Sequence, residues 1–154
     1  MDKPTEKRQI KDTRNRSIRD LRISVTDRCN FRCTYCMPKG GLDWIPRPDV
    51  LGYEEISRLV GVLASQGIRH IRLTGGEPTI RSDLVELVGS LGQIEKIEDL
   101  SMTTNGHTLS SLAGPLAEAG LSRVNISLDT LKTDRFHQLT GGGNLERVLA
   151  GIEA

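Results

Sequence analysis

Three cysteines stand within eight residues, Cys29-Asn-Phe-Arg-Cys33-Thr-Tyr-Cys36, and the 154-residue chain has no other. Thiolates spaced C-x₃-C-x₂-C can surround one centre. On a cubane iron–sulfur cluster three cysteines leave one iron open to a substrate or cofactor, as three protein ligands leave a position open on a catalytic zinc. Zinc is a second reading, with His70, His107 or His137 as the fourth ligand, although structural zinc usually comes as two short cysteine pairs. A disulfide would leave one thiol over. Three cysteines in a polar loop do not follow the patterning of a core.

Other chemically suggestive stretches are Gly75-Gly76-Glu77-Pro78, Thr103-Thr104-Asn105-Gly106 and Ser127-Leu128-Asp129. The elements that must position them alternate. Leu21–Val25 reads as a strand, followed by the cysteine loop to about Asp49. Apolar residues at helical spacing predict a helix over Tyr53–Gln66, with Gly67 as its stop. Ile68–Thr74 is a second strand, and Ser82 is a candidate cap for the helix that follows. Ile97–Thr104 is a third strand, and Thr108–Ala119 a helix interrupted at Gly114-Pro115. Arg123–Asp129 is a fourth strand, and two short helices close the chain, around Asp134–Leu139 and Asn144–Glu153. This βα rhythm predicts a parallel sheet of about four units in an α/β fold, with working groups at the carboxyl ends of the strands. The suggestive stretches all fall on that rim.

Composition narrows the class. The chain is 36% apolar and 27% charged with a net charge of +1, and no apolar stretch approaches a membrane span. Closely spaced thiols in odd number, without an apolar signal core in MDKPTEKRQI, point to a reducing, cytoplasmic setting. Residues 1–32 hold ten basic against five acidic side chains, and the rest of the chain is acidic. Residues 1–16 read as a basic solvated arm ahead of a core over 17–154. The arm's charge suits a nucleotide triphosphate better than nucleic acid.

The cysteine run after the first strand, joined to Gly-Gly-Glu-Pro after the second, resembles the radical S-adenosylmethionine (SAM) superfamily. The resemblance implies a partial (β/α) TIM-like barrel and a 4Fe–4S cluster on Cys29, Cys33 and Cys36. SAM would chelate the open iron and yield a 5′-deoxyadenosyl radical on reduction by an external electron donor. It also implies SAM contacts at Tyr35, Gly75, Gly76 and Ser127, with Glu77 steadying the ammonium of SAM. Arg19–Pro38, Ile71–Pro78, Ser101–Gly106 and Arg123–Leu131 further resemble the lyase branch that cyclises GTP during molybdenum cofactor biosynthesis. That branch implies GTP contacts at Arg22, Arg72 and Thr103. Its members are about twice this length and bind a second cluster through later cysteines, which are missing here. The chain is therefore expected to be an amino-terminal portion, truncated at its carboxyl end, with little activity alone. Alternative readings are a radical SAM enzyme acting on another substrate, and a non-catalytic metal- or nucleotide-binding module. An open sheet also leaves edges through which the chain can self-associate, for example as a homodimer.

Overall fold

The computed structural model describes residues 9–36, 38 and 41–154, so half of the expected basic arm lies outside the described residues. Strands β1 (Asp20–Ser24), β2 (His70–Thr74), β3 (Asp99–Thr104) and β4 (Arg123–Ile126) form one sheet, all parallel, in the order β1-β2-β3-β4. Helices α1 (Tyr53–Ser65), α2 (Leu84–Gly92) and α3 (Leu109–Glu118) connect them. Helices α4 (Thr133–Thr140) and α5 (Leu145–Glu153) follow β4. The predicted α/β sheet of four parallel units is present.

Strand alternation sorts the side chains onto two faces. The register aligns Ile23, Leu73, Met102 and Val124 in one row across the sheet. Against that face pack Ile56 and Val60 of α1, Leu84, Leu87, Val88 and Leu91 of α2, and Leu109 and Leu116 of α3. Each such side chain fully buried contributes about 1.5–3 kcal/mol. The opposite face carries the row Arg22, Arg72, Ser101 and Arg123. A smaller core of Phe31, Phe136, Leu145 and Val148 lies under the cysteine loop.

Several boundaries differ from expectation. Ser82 does not cap α2: the helix starts at Leu84 behind Asp83, whose φ is 59°, and no side chain caps it. The chain instead turns through a 3₁₀ segment at Pro78–Ile80, capped by the Glu77 carboxylate. Pro115 does not interrupt α3, which runs through it. The proline removes one donor to the carbonyl of Ser111, an exposed residue. Strand β3 begins at Asp99, and β4 ends at Ile126 rather than Asp129. Ladder pairing persists only as far as the Ser127 amide, which donates to the Thr104 carbonyl at 2.9 Å. Residues 9–16 are exposed apart from the partly buried Ile10 and Asp12, and they are tied to the body. Lys11 pairs antiparallel with Ser17, and the Ile10 amide donates to the Gln66 carbonyl at 3.1 Å. Ile10 also packs on the main core, and that burial holds the segment down.

Candidate functional site

The cysteine loop is anchored by the one large apolar residue inside its motif. Phe31 is 5% exposed and meets Phe136 and His107 edge to face, at ring separations of 5.9 and 5.4 Å. The loop also lies on the end of α4: the Arg32 amide donates to the Thr140 carbonyl at 2.8 Å and the Thr34 amide to Leu139 at 2.9 Å. Gly141, at φ 65°, permits that approach, since a Cβ there would stand 2.6 Å from the Arg32 carbonyl oxygen. Sequence reasoning assigned Phe31 no role. Its signal was a phenylalanine, the residue of the motif with no polar atom on its side chain, between two of the cysteines.

Gly75 and Gly76 are required for a second close approach. A Cβ on Gly75 would lie 2.3 Å from the Thr26 oxygen, and one on Gly76 2.2 Å from the Arg28 oxygen. The backbone that comes near is the start of the cysteine loop itself. The Gly76 and Glu77 amides donate to the Thr26 and Arg28 carbonyls, each at 2.7 Å.

Glu77 is 1% exposed, and its carboxylate is taken up by the chain. Oε1 accepts from the Thr79 amide (3.0 Å), the Thr79 hydroxyl (2.6 Å) and the Thr104 hydroxyl (2.7 Å). Oε2 accepts from the Asn105 amide at 2.6 Å. A buried carboxylate needs such donors to offset its lost hydration. Tyr35, exposed beyond the loop, donates from its hydroxyl to Asp129 Oδ2 at 2.7 Å. That bond, with burial second, raises the phenol well above its ordinary pKa. It ties the cysteine loop to the chain beyond β4.

Arg22 and Arg72 are direct cross-strand partners on the polar face. Thr103 lies on β3 opposite Asn125, and Ser127 follows the end of β4. Arg123 on the same face is paired with Asp99 at 2.8 Å, and His70 with Asp20 at 3.0 Å. Among the described residues neither Arg22 nor Arg72 has an acidic partner. Like charges side by side on neighbouring strands repel.

The three thiols are free, with Cys29 and Cys33 half-buried and Cys36 exposed. Burial pushes the Cys29 and Cys33 thiols up; a hydrogen bond opposes this at each, from the Phe31 amide at Cys29 and from Tyr35 at Cys33. The Phe31 amide donates to Cys29 Sγ at 3.4 Å, a bond of the kind that tunes sulfur ligands. No described group of three or more His, Cys, Asp or Glu side chains converges tightly enough for a single metal ion. His70 sits among acids at the amino ends of the strands, His107 against Phe31, and His137 is exposed on α4. An all-sulfur set without a fourth protein ligand fits a cluster with one open iron better than a Cys₃His zinc.

The family model for the radical SAM superfamily matches residues 23–154. The chain belongs to the radical SAM superfamily. SAM and a 4Fe–4S cluster are that family's cofactors. Among curated relatives, the GTP 3′,8-cyclase of Lactiplantibacillus plantarum is 52% identical over 132 residues, 86% of this chain and 40% of that protein. The GTP 3′,8-cyclase of Moorella thermoacetica is 52% identical over 145 residues, covering 94% of this chain and 45% of that protein. The chain therefore spans less than half the length of these relatives. Streptococcus suis SuiB bound to the precursor peptide SuiA superposes with a TM-score of 0.68 at 20% identity, over 83% of this chain and 28% of that one. Methylornithine synthase (PylB) gives 0.62 at 22% identity, over 87% and 40%. At those identities the likeness shows a shared fold. Among the described residues no helix is long and apolar enough to cross a membrane.

Proposed function

We propose that this chain is the SAM- and cluster-binding part of a GTP 3′,8-cyclase, a lyase of molybdenum cofactor biosynthesis. The observation that carries the reading is the register that sets Arg22 beside Arg72, without acidic partners among the described residues, in a chain half identical to GTP 3′,8-cyclases. Guanidinium groups bind phosphate oxygens through paired N–H donors, so the two together suit a triphosphate. Thr103 adds a hydroxyl on the next strand but one from Arg22.

In this reading Cys29, Cys33 and Cys36 hold one 4Fe–4S cluster. Tyr35, Gly75, Gly76 and Ser127 line the SAM side of the same rim. Cluster and SAM, bound there and supplied with electrons by an external donor, would provide the 5′-deoxyadenosyl radical chemistry that converts GTP to 3′,8-cyclo-7,8-dihydro-GTP. The chain's own residues bind and orient. The arginines fix the triphosphate, and the strand ends hold the sugar near the rim.

The test is anaerobic reconstitution with iron and sulfide, followed by SAM and GTP titration. A cluster whose spectrum SAM perturbs is expected. Arg72→Ala should weaken GTP binding roughly tenfold or more, as loss of a charged hydrogen-bonding partner does. Stoichiometric zinc without sulfide would overturn the cluster. Unchanged GTP affinity in Arg72→Ala, with the SAM response intact, would favour a radical SAM domain for another substrate.

A further inference from the structure

Cys29 is held from both flanks by one hydrogen-bonded unit. On one side the Glu77 amide donates to the carbonyl of Arg28, the residue before Cys29, at 2.7 Å. On the other, the Asn105 side-chain Nδ2 donates to Oδ1 of Asn30, the residue after Cys29, at 2.7 Å. Asn105 is oriented for this by two further bonds. Its backbone amide is bound by Glu77 Oε2, and its Oδ1 accepts from the His107 amide at 3.0 Å. The Asn105 Oδ1 assignment follows from that donor, which leaves the NH₂ to face Asn30.

We infer that Glu77 and Asn105 are positioning residues, which set the cysteine loop through the chain Glu77–Asn105–Asn30. The inference rests on the radical SAM reading of the site. Glu77 is 1% exposed; its Oε1 takes three internal donors and its Oε2 takes the Asn105 amide, so the carboxylate is built into the ends of β2 and β3. Partners behind a metal ligand that fix its orientation strongly affect metal retention. Here a single buried carboxylate joins the ends of β2 and β3 to the loop after β1.

The variants separate the links. Asn105→Ala and Asn30→Ala cut the connection to the loop and leave the Glu77 bonds in place. Glu77→Gln disturbs the whole unit, since each oxygen receives a backbone N–H and an amide can serve only one of them. Two readouts are taken on the intact chain. One is the rate of cluster loss to a chelator after anaerobic reconstitution; the other is amide exchange of residues 29–36 before loading. Asn105→Ala and Asn30→Ala should lose the cluster about 10- to 100-fold faster than wild type, with faster loop exchange and little change in thermal midpoint. The double variant should be no worse than either single one, because both cut the same link. Glu77→Gln should lose the cluster faster still.

Wild-type rates of cluster loss and exchange in Asn105→Ala and Asn30→Ala would overturn the positioning role. So would a Glu77→Gln variant that keeps its cluster at the wild-type rate but binds SAM more weakly. A wild-type chain that takes up no cluster would instead remove the radical SAM reading of the site itself. If Glu77→Gln does not fold, the two asparagine variants still decide the matter.

Discussion

At the scale of single residues, the polar face of the sheet separates charges that serve the fold from charges free for a ligand. The Asp99 carboxylate accepts from Arg123 Nε at 3.1 Å and from its NH2 nitrogen at 2.8 Å. That hydrogen bonding holds Asp99 below the usual carboxylate range. A carboxylate whose folded pKa is depressed contributes stability above its unfolded value, near 3.9, and loses it as pH falls through the folded value. Arg123→Ala should therefore lower the unfolding midpoint at neutral pH, and the difference from wild type should begin to shrink below about pH 4 and close once pH is under the folded value. Equal gaps at both pH values would show that the pair does not act through Asp99. Arg22 and Arg72 have no such partner among the described residues, and the sequence could not show this. A strand pattern says which residues share a face, but not which acids reach them.

At the scale of elements, the turns carry the specificity of the site. At Gly75-Gly76 the closest backbone is that of Thr26 and Arg28. Gly76→Ala puts a methyl group 2.2 Å from the Arg28 oxygen and 2.6 Å from the Asp27 oxygen. Forcing that backbone apart is expected to cost about 1–3 kcal/mol, read as a lower denaturant midpoint, with weaker cluster retention because the loop moves too. A variant with wild-type stability would mean that the contact is not close in solution. Helices α1 and α2 were legible because their buried residues recur at helical spacing: Ile56, Val60 and Ala64, then Leu84, Leu87, Val88 and Leu91. The start of α2 was not legible. Ser82 is a good local cap on propensity, but the chain turns through Pro78–Ile80 and a left-handed Asp83, so the helix begins at Leu84.

At the scale of the whole molecule, β1 and β4 each have one sheet neighbour among the described residues. Beside β4 lies an apolar groove of about 260 Å³, lined by Leu109, Leu116, Val124, Ile126 and Ile152 among others. Ile152 is half exposed. Unpaired strand edges beside apolar surface favour association between copies. The chain should sediment as a concentration-dependent mixture, and Ile152→Lys should shift it toward monomer without lowering its thermal midpoint. A single monomeric species at every concentration would sink this expectation.

The sequence by itself determined the parallel βα order, the three thiols and the rim on which the site stands. Those depend on local periodicity and on short motifs whose residues adjoin in the chain. Only the tertiary structure decided how that rim is held together. Phe31 reaches a second core built from α4 and α5, residues 9–16 fold back onto the main body, and Glu77 turns inward to bind the end of β3. Each of these contacts joins residues far apart in the chain. Their partners are selected by burial and hydrogen-bond satisfaction, which no spacing along the sequence encodes.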